Sequence, residues 1–145
     1  MKKFIFRLET LLRIRRAREG TLKRDLEHAH QKWCQTQEQE QMLQAQIGAL
    51  MDEIHKRRAE GKFDLEETYS QILEHLNTSL SLNEQSLAAN QKAYEEQQGR
   101  LKLAIQERKV IEKIKEKHYT SWRTSEVQTE GALLDEIGCH KAHLE

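Results

Sequence analysis

The sequence contains no proline and only six glycines in 145 residues, so almost nothing in it interrupts a helical hydrogen-bond ladder. Charged residues make up 33% of the chain and aromatic residues only 6%. This leaves too little apolar surface for a thick globular core, but enough for a narrow seam between helices. The composition therefore predicts an all-α protein of elongated shape.

Apolar residues recur in alternating steps of four and three along the first part of the chain, and only Thr36 and Glu40 interrupt them. The positions on this spacing are Leu22, Leu26, Ala29, Trp33, Thr36, Glu40, Leu43, Ile47, Leu50 and Ile54. Such spacing is typical of one helix of a coiled coil. A less regular apolar stripe precedes it, so the first helix is predicted from about residue 3 to about residue 60.

The pattern stops around residues 59–64, which predicts a turn. Gly61 suits the left-handed residue that ends a helix, and Asp64, three residues before Glu67, suits the N-cap of the next one. Because the connection is short, the two helices must run antiparallel. A turn centred near residue 62 places Trp33 close to Asn90 and Tyr94.

The second apolar series contains polar residues at regular intervals. Its positions are Tyr69, Leu73, Leu76, Leu80, Asn83, Leu87, Asn90, Tyr94, Gln97, Leu101 and Ala104. Asn83, Asn90 and Gln97 recur every seven residues, a pattern that fixes register while reducing stability. After Ala104 the seam is expected to shift to Val110, Ile111, Ile114 and His118, a break that alters the supercoil locally.

These patterns predict an all-α fold of two long helices forming an antiparallel coiled-coil hairpin. We expect a single domain over residues 1–145. Its first helix covers about 3–60, its turn about 61–64, and its second helix about 65–140. The second helix is the longer one, so the segment beyond about residue 122 is expected to lack a partner within the chain and to fray, to fold back or to dock on another molecule.

The net charge is zero, but it is unevenly placed. Residues 1–24 contain nine basic and two acidic residues, and residues 100–117 contain seven basic and three acidic ones. The hairpin brings these two segments side by side, so its terminal end is predicted to be strongly basic. Such an end can dock on nucleic acid, on anionic lipid or on an acidic protein surface.

Signatures of catalysis are missing from the sequence. It has no glycine-rich phosphate loop, no nucleophile elbow and no HExxH zinc motif, and a two-helix rod encloses no pocket. We therefore expect no catalytic, cofactor-binding or metal-binding residues and no small-molecule substrate. No run of about eighteen apolar residues occurs, and the opening segment is charged where a signal peptide would be apolar, which predicts a cytoplasmic protein.

Motifs at the two ends resemble a known family. The N-terminal pattern Phe4-x-Phe6-x-Leu8-x-x-Leu11-Leu12-x-x-Arg15, followed by Glu19, is similar to the N-terminal signature of the FliJ family of flagellar type III export proteins. The pattern Arg108-Lys109-x-x-Glu112-Lys113, followed by Tyr119 and Leu134-Asp135-Glu136, is similar to the C-terminal one. The YscO-type proteins of injectisomes share this architecture.

The resemblance implies a non-enzymatic central stalk of an export ATPase complex. Such a stalk enters the pore of a hexameric ATPase with its basic terminal end, links the ATPase to the membrane export gate, and binds export chaperones. The implied location is the cytoplasm, at the periphery of the inner-membrane export apparatus. The expected ATPase contacts are Phe4, Leu8, Arg13, Arg15, Arg16, Arg18, Arg108 and Lys109. The implied gate-binding region is roughly Tyr69 to Asn83, without residue-level assignment.

Two other readings remain open at the level of sequence. The first is a coiled coil that binds nucleic acid or an anionic membrane through the same basic end, although no DNA-binding motif or aromatic stacking platform accompanies the charge. The second is a coiled coil that only dimerises and acts as a spacer. This hypothesis does not explain why two basic segments lie side by side. We expect salt to weaken polyanion binding steeply, whereas insertion into a protein ring also needs apolar residues such as Phe4 and Leu8.

Overall fold

The computed structural model describes residues 2–144 and shows two long helices that pack against each other as a hairpin. Helix α1 spans Glu9–Ala59 and helix α2 spans Glu66–Leu144. No strand occurs within residues 2–144. The all-α, two-helix hairpin predicted from the sequence is therefore confirmed, and α2 ends slightly beyond the predicted position.

Helix α1 starts later than predicted, because residues 2–6 are not helical. In this segment Phe6 is buried and Phe4 partly buried, whereas Ile5 between them is 83% exposed. Alternation of inward and outward side chains is the period of extended chain rather than of helix. The two phenylalanines pack against α2 from this extended segment, and the acidic Glu9 then opens α1, where a negative charge favours the helix N-terminus.

The turn between the helices has the glycine that the sequence predicted. Gly61 adopts a φ of 74°, and its amide donates to the carbonyl of Arg58 at 3.0 Å. The amide of Lys62 donates to the carbonyl of Arg57 at 2.9 Å, which completes a Schellman motif. The predicted capping role of Asp64 was wrong: α2 begins two residues later, and the Asp64 carboxylate accepts a hydrogen bond from the Arg57 side chain at 2.8 Å.

The chain divides into two compact units. Unit 1 comprises the residues up to Gly20 and those from Lys102 onward, and unit 2 comprises Thr21–Leu101. The single domain expected over residues 1–145 stays a prediction, and each unit is described by itself.

Contacts in unit 2 confirm the predicted pairing of the helices. The rings of Trp33 and Tyr94 stack with centroids 5.2 Å apart, and the Tyr69 hydroxyl donates to Glu53 at 3.1 Å. Polar seam residues on the two helices also meet. The side-chain amide of Asn83 donates to the Thr36 carbonyl at 3.1 Å, and that of Asn90 donates to the Thr36 hydroxyl at 2.7 Å. Thr36 is the polar residue that interrupts the apolar series of α1. It thus hydrogen-bonds to Asn83 and Asn90, two of the polar residues that interrupt the series of α2.

Unit 1 has a small apolar core. Phe6, Leu12 and Ile111 are buried together, with Phe4, Leu11 and Ile114 packed around them. Of the predicted continuation of the α2 seam, Val110 was wrong, because it is 58% exposed, whereas Ile111 is 7% exposed and Ile114 packs beside it. His118, the last predicted position, contacts the Phe6 ring. The spacing of four and three continues instead from Ala104 through Arg108, Ile111 and Lys115. The sequence hid this continuity because two of its positions carry charged side chains.

Candidate protein-docking surface

Charged residues occupy seam positions in unit 1, where a coiled coil normally has apolar ones. Glu19 is only 7% exposed and pairs with Arg108 on the opposite helix. Arg15 pairs with Glu107 in the same way, and Glu9 accepts from Lys115 at 2.7 Å. Each pair joins α1 to α2, so these side chains hold the two helices in register.

Arg108 is the most connected of the seam residues. Besides Glu19 it contacts Glu112, one turn further along α2, at 2.8 Å, and Glu112 also accepts from Arg16 of α1 at 3.4 Å. The hydrogen bonds from Arg108 hold the pKa of Glu112 below its ordinary value, and those to Glu112 and Glu19 raise the pKa of Arg108. A hydrogen bond from Lys115 likewise lowers the pKa of Glu9. Glu112, Arg108 and Glu9 are thus charged at neutral pH.

The remaining basic residues of this region point into solvent. Within residues 2–20 and 102–117, nine Lys and Arg side chains are exposed and make no ion pair with any described residue. They are Lys2, Lys3, Arg7, Arg13, Arg18, Lys102, Lys109, Lys113 and Lys117. We call this set the free basic surface. These side chains carry positive charge that is not held in an ion pair with the described residues of unit 1, and this charge is available to a ligand.

The structure separates the residues expected to contact an ATPase into two groups. Arg15, Arg16 and Arg108 make ion pairs within unit 1. Arg13, Arg18 and Lys109 belong to the free basic surface. The sequence could not separate these groups, since nothing in a run of arginines shows which of them faces a glutamate on the other helix.

The two apolar residues of the same prediction also differ. The ring of Phe4 packs edge-on against Tyr119, with centroids 5.3 Å apart, and lies 5.8 Å from Trp122. Leu8 is 37% exposed. Phe4 therefore belongs to an aromatic cluster inside unit 1 that the sequence analysis missed, whereas part of Leu8 is open to a partner. In the sequence Phe4, Ile5 and Phe6 are three consecutive apolar residues, so no alternation of polarity marks this segment as extended or indicates the cluster.

The gate-binding region that the family resemblance implies, roughly Tyr69 to Asn83, lies in unit 2. Its two ends face α1, since Tyr69 bonds to Glu53 and Asn83 bonds to Thr36. Between them, Ile72 is 43% exposed and Leu82 is 60% exposed. These two side chains are the apolar residues of this region that a partner can reach most easily.

Features of other kinds of site are missing from the described part of the chain. Among the described side chains, those of residues 2–142, no group of three or more could hold a metal ion. Neither α1 nor α2, over its described residues, contains a stretch long and apolar enough to cross a membrane.

These features define a helical hairpin with a charged seam and an unneutralised basic surface, which is the class of an interaction protein. Comparison with protein families gives a more specific result: the model of the family described as flagellar FliJ protein matches residues 3–144. The chain therefore belongs to the FliJ family, a family of flagellar export components. No curated protein and no solved structure matched the chain.

Proposed function

We propose that this protein is the non-enzymatic central stalk of a bacterial flagellar type III export ATPase complex. In this proposal unit 1 enters the hexameric ATPase ring, unit 2 contacts the membrane export gate, and export chaperones are further partners. The protein would then act in the cytoplasm, at the periphery of the inner-membrane export apparatus. It would regulate the ATPase and support flagellum assembly and motility.

The observation that carries the proposal is the separation of paired from free charges in unit 1. Four basic side chains, those of Arg15, Arg16, Arg108 and Lys115, neutralise glutamates between the helices. The free basic surface has members on both helices and in the segment that precedes α1. A hairpin held in register by its own ion pairs can present the other charges to a surrounding ring without losing its structure.

The test is to add the purified protein to the cognate export ATPase and to measure ATP hydrolysis. We expect the rate to rise to a plateau as the protein is added. We also expect Leu8→Ala to shift the half-maximal concentration upward, because a ring contact uses this exposed apolar side chain. Phe4→Ala is a poorer choice than the sequence suggested, since the Phe4 ring also packs inside unit 1.

The second candidate function is association with RNA or an anionic membrane, which the free basic surface also favours. That function predicts binding to RNA or to phosphatidylglycerol vesicles that falls steeply with salt and does not change in Leu8→Ala. Such binding, together with an unchanged rate of ATP hydrolysis, would contradict the stalk proposal.

A further inference from the structure

The last part of α2 carries apolar side chains that are open to solvent. Among residues 123–142, Val127 is 61% exposed, Leu133 56%, Leu134 67% and Ile137 51%. Trp122, which contacts Phe4, marks the end of the ring contacts with the N-terminal segment. A cluster of large exposed apolar residues on one helix indicates an interaction surface.

Three of these side chains, those of Val127, Leu134 and Ile137, form a seam together with two charged residues. Val127, Glu130, Leu134, Ile137 and Lys141 follow steps of three, four, three and four, which places them on one face of the helix. Because a helix turns by about 100° per residue, Val127 lies about 140° around α2 from Trp122. The new seam is thus on a different face of α2 from Trp122, which contacts the N-terminal segment.

The apolar and charged positions of this seam match those of a second copy when the two helices run antiparallel. A two-fold axis at the level between Asp135 and Glu136 brings Leu134 of one copy onto Ile137 of the other. The same axis brings Glu130 onto Lys141, and symmetry makes each of these contacts twice. In a parallel pair Glu130 would face Glu130 and Lys141 would face Lys141, so the charges favour the antiparallel arrangement.

We propose that this face of α2 docks onto the same face of a second copy of the protein in an antiparallel two-helix contact. The seam extends over about 22 Å of helix, because each residue adds about 1.5 Å. Such a short contact buries less area than a permanent dimer needs. The pairing is therefore weak and reversible, and it depends on protein concentration.

The experiment is sedimentation equilibrium of the full chain over a range of concentrations, for the wild type, Glu130→Lys, Lys141→Glu and the double variant. We expect a monomer–dimer equilibrium for the wild type. Each single variant places two pairs of like charges in the contact, so the dissociation constant should rise about tenfold. The double variant restores opposite charges between the copies and should return the constant close to the wild-type value.

Rescue by the double variant identifies the register, because positions 130 and 141 cannot reach each other within one helix. They are eleven residues apart, which corresponds to about 16 Å along the axis. Both side chains are exposed, so the variants should keep the helical content of the wild type, which circular dichroism checks. A wild type that stays monomeric at all concentrations, or a double variant no better than the single ones, would overturn the proposal.

Discussion

Replacing Arg13, Arg18 and Lys109 together with alanine is expected to leave the hairpin folded and to abolish most of the stimulation of the export ATPase at the protein concentration that is half-maximal for the wild type. These side chains are exposed and make no ion pair within the described residues, so their loss removes no contact between the helices. Three charge-assisted contacts with the ring would be lost instead. We expect the half-maximal stimulating concentration to rise at least about tenfold, which corresponds to about 1.4 kcal/mol.

Unit 2 offers a matched control for this variant. Lys32, Lys56 and Lys92 are also exposed, are helical and make no ion pair with a described residue. Their replacement by alanine changes the net charge by the same amount. If both triple variants lost stimulation equally, the effect would come from overall charge, and the role given to the free basic surface would be wrong.

Replacing all four arginines between residues 13 and 18 would be a less informative experiment. Arg15 and Arg16 make ion pairs with Glu107 and Glu112 across the hairpin. Their removal leaves the Glu107 carboxylate without its partner and leaves Glu112 paired with Arg108 alone, within α2. A loss of ATPase stimulation could then result from separation of the helices. The triple variant avoids this ambiguity because it spares the seam.

Leu12→Ala is expected to have the largest effect on stability. The Leu12 side chain is completely buried, at 0% exposure, and it packs with Phe6 and Ile111. Truncating a fully buried leucine removes its transfer free energy and leaves a cavity, which together cost about 3 kcal/mol. With so small a core in unit 1, few other apolar contacts can compensate.

Urea unfolding followed by circular dichroism measures this loss, with Leu103→Ala as the control. Leu103 also lies in unit 1 but is 57% exposed, so its truncation should cost less than about 0.5 kcal/mol. Hydrogen exchange should show the loss of protection in unit 1. Equal effects of the two substitutions would mean that Leu12 does not pack in a core as described.

The sequence predicted the hairpin well because its signals are local and periodic. Gly61 and the apolar spacing on either side of it determine where the chain turns and which faces meet, and the contact of Trp33 with Tyr94 follows from them. Thr36 looked like a defect in the seam, and its role became clear only when Asn83 and Asn90 were placed opposite it. A residue's partner on the other helix is not visible in its own helix's pattern.

Unit 1 was harder to predict, for two physical reasons. Its N-terminal segment is extended, so the helical period expected from Phe4 onward does not apply before Glu9. Its seam contains Arg15, Glu19, Arg108 and Lys115, which a search for apolar positions passes over. The same ion pairs determine which basic residues are free for a partner. The sequence alone therefore could not show which of the predicted ATPase contacts are paired within unit 1 and which are free.

Site-specific photo-crosslinking tests the central claim, that unit 1 binds the ATPase through the residues its seam leaves free. A photoreactive amino acid would replace Arg13 or Lys109 in unit 1 or, as a control, the exposed Ser81 in unit 2. Each variant would be irradiated with the assembled export ATPase. We predict ATPase adducts from positions 13 and 109 and none from position 81; adducts from position 81 alone would contradict this account.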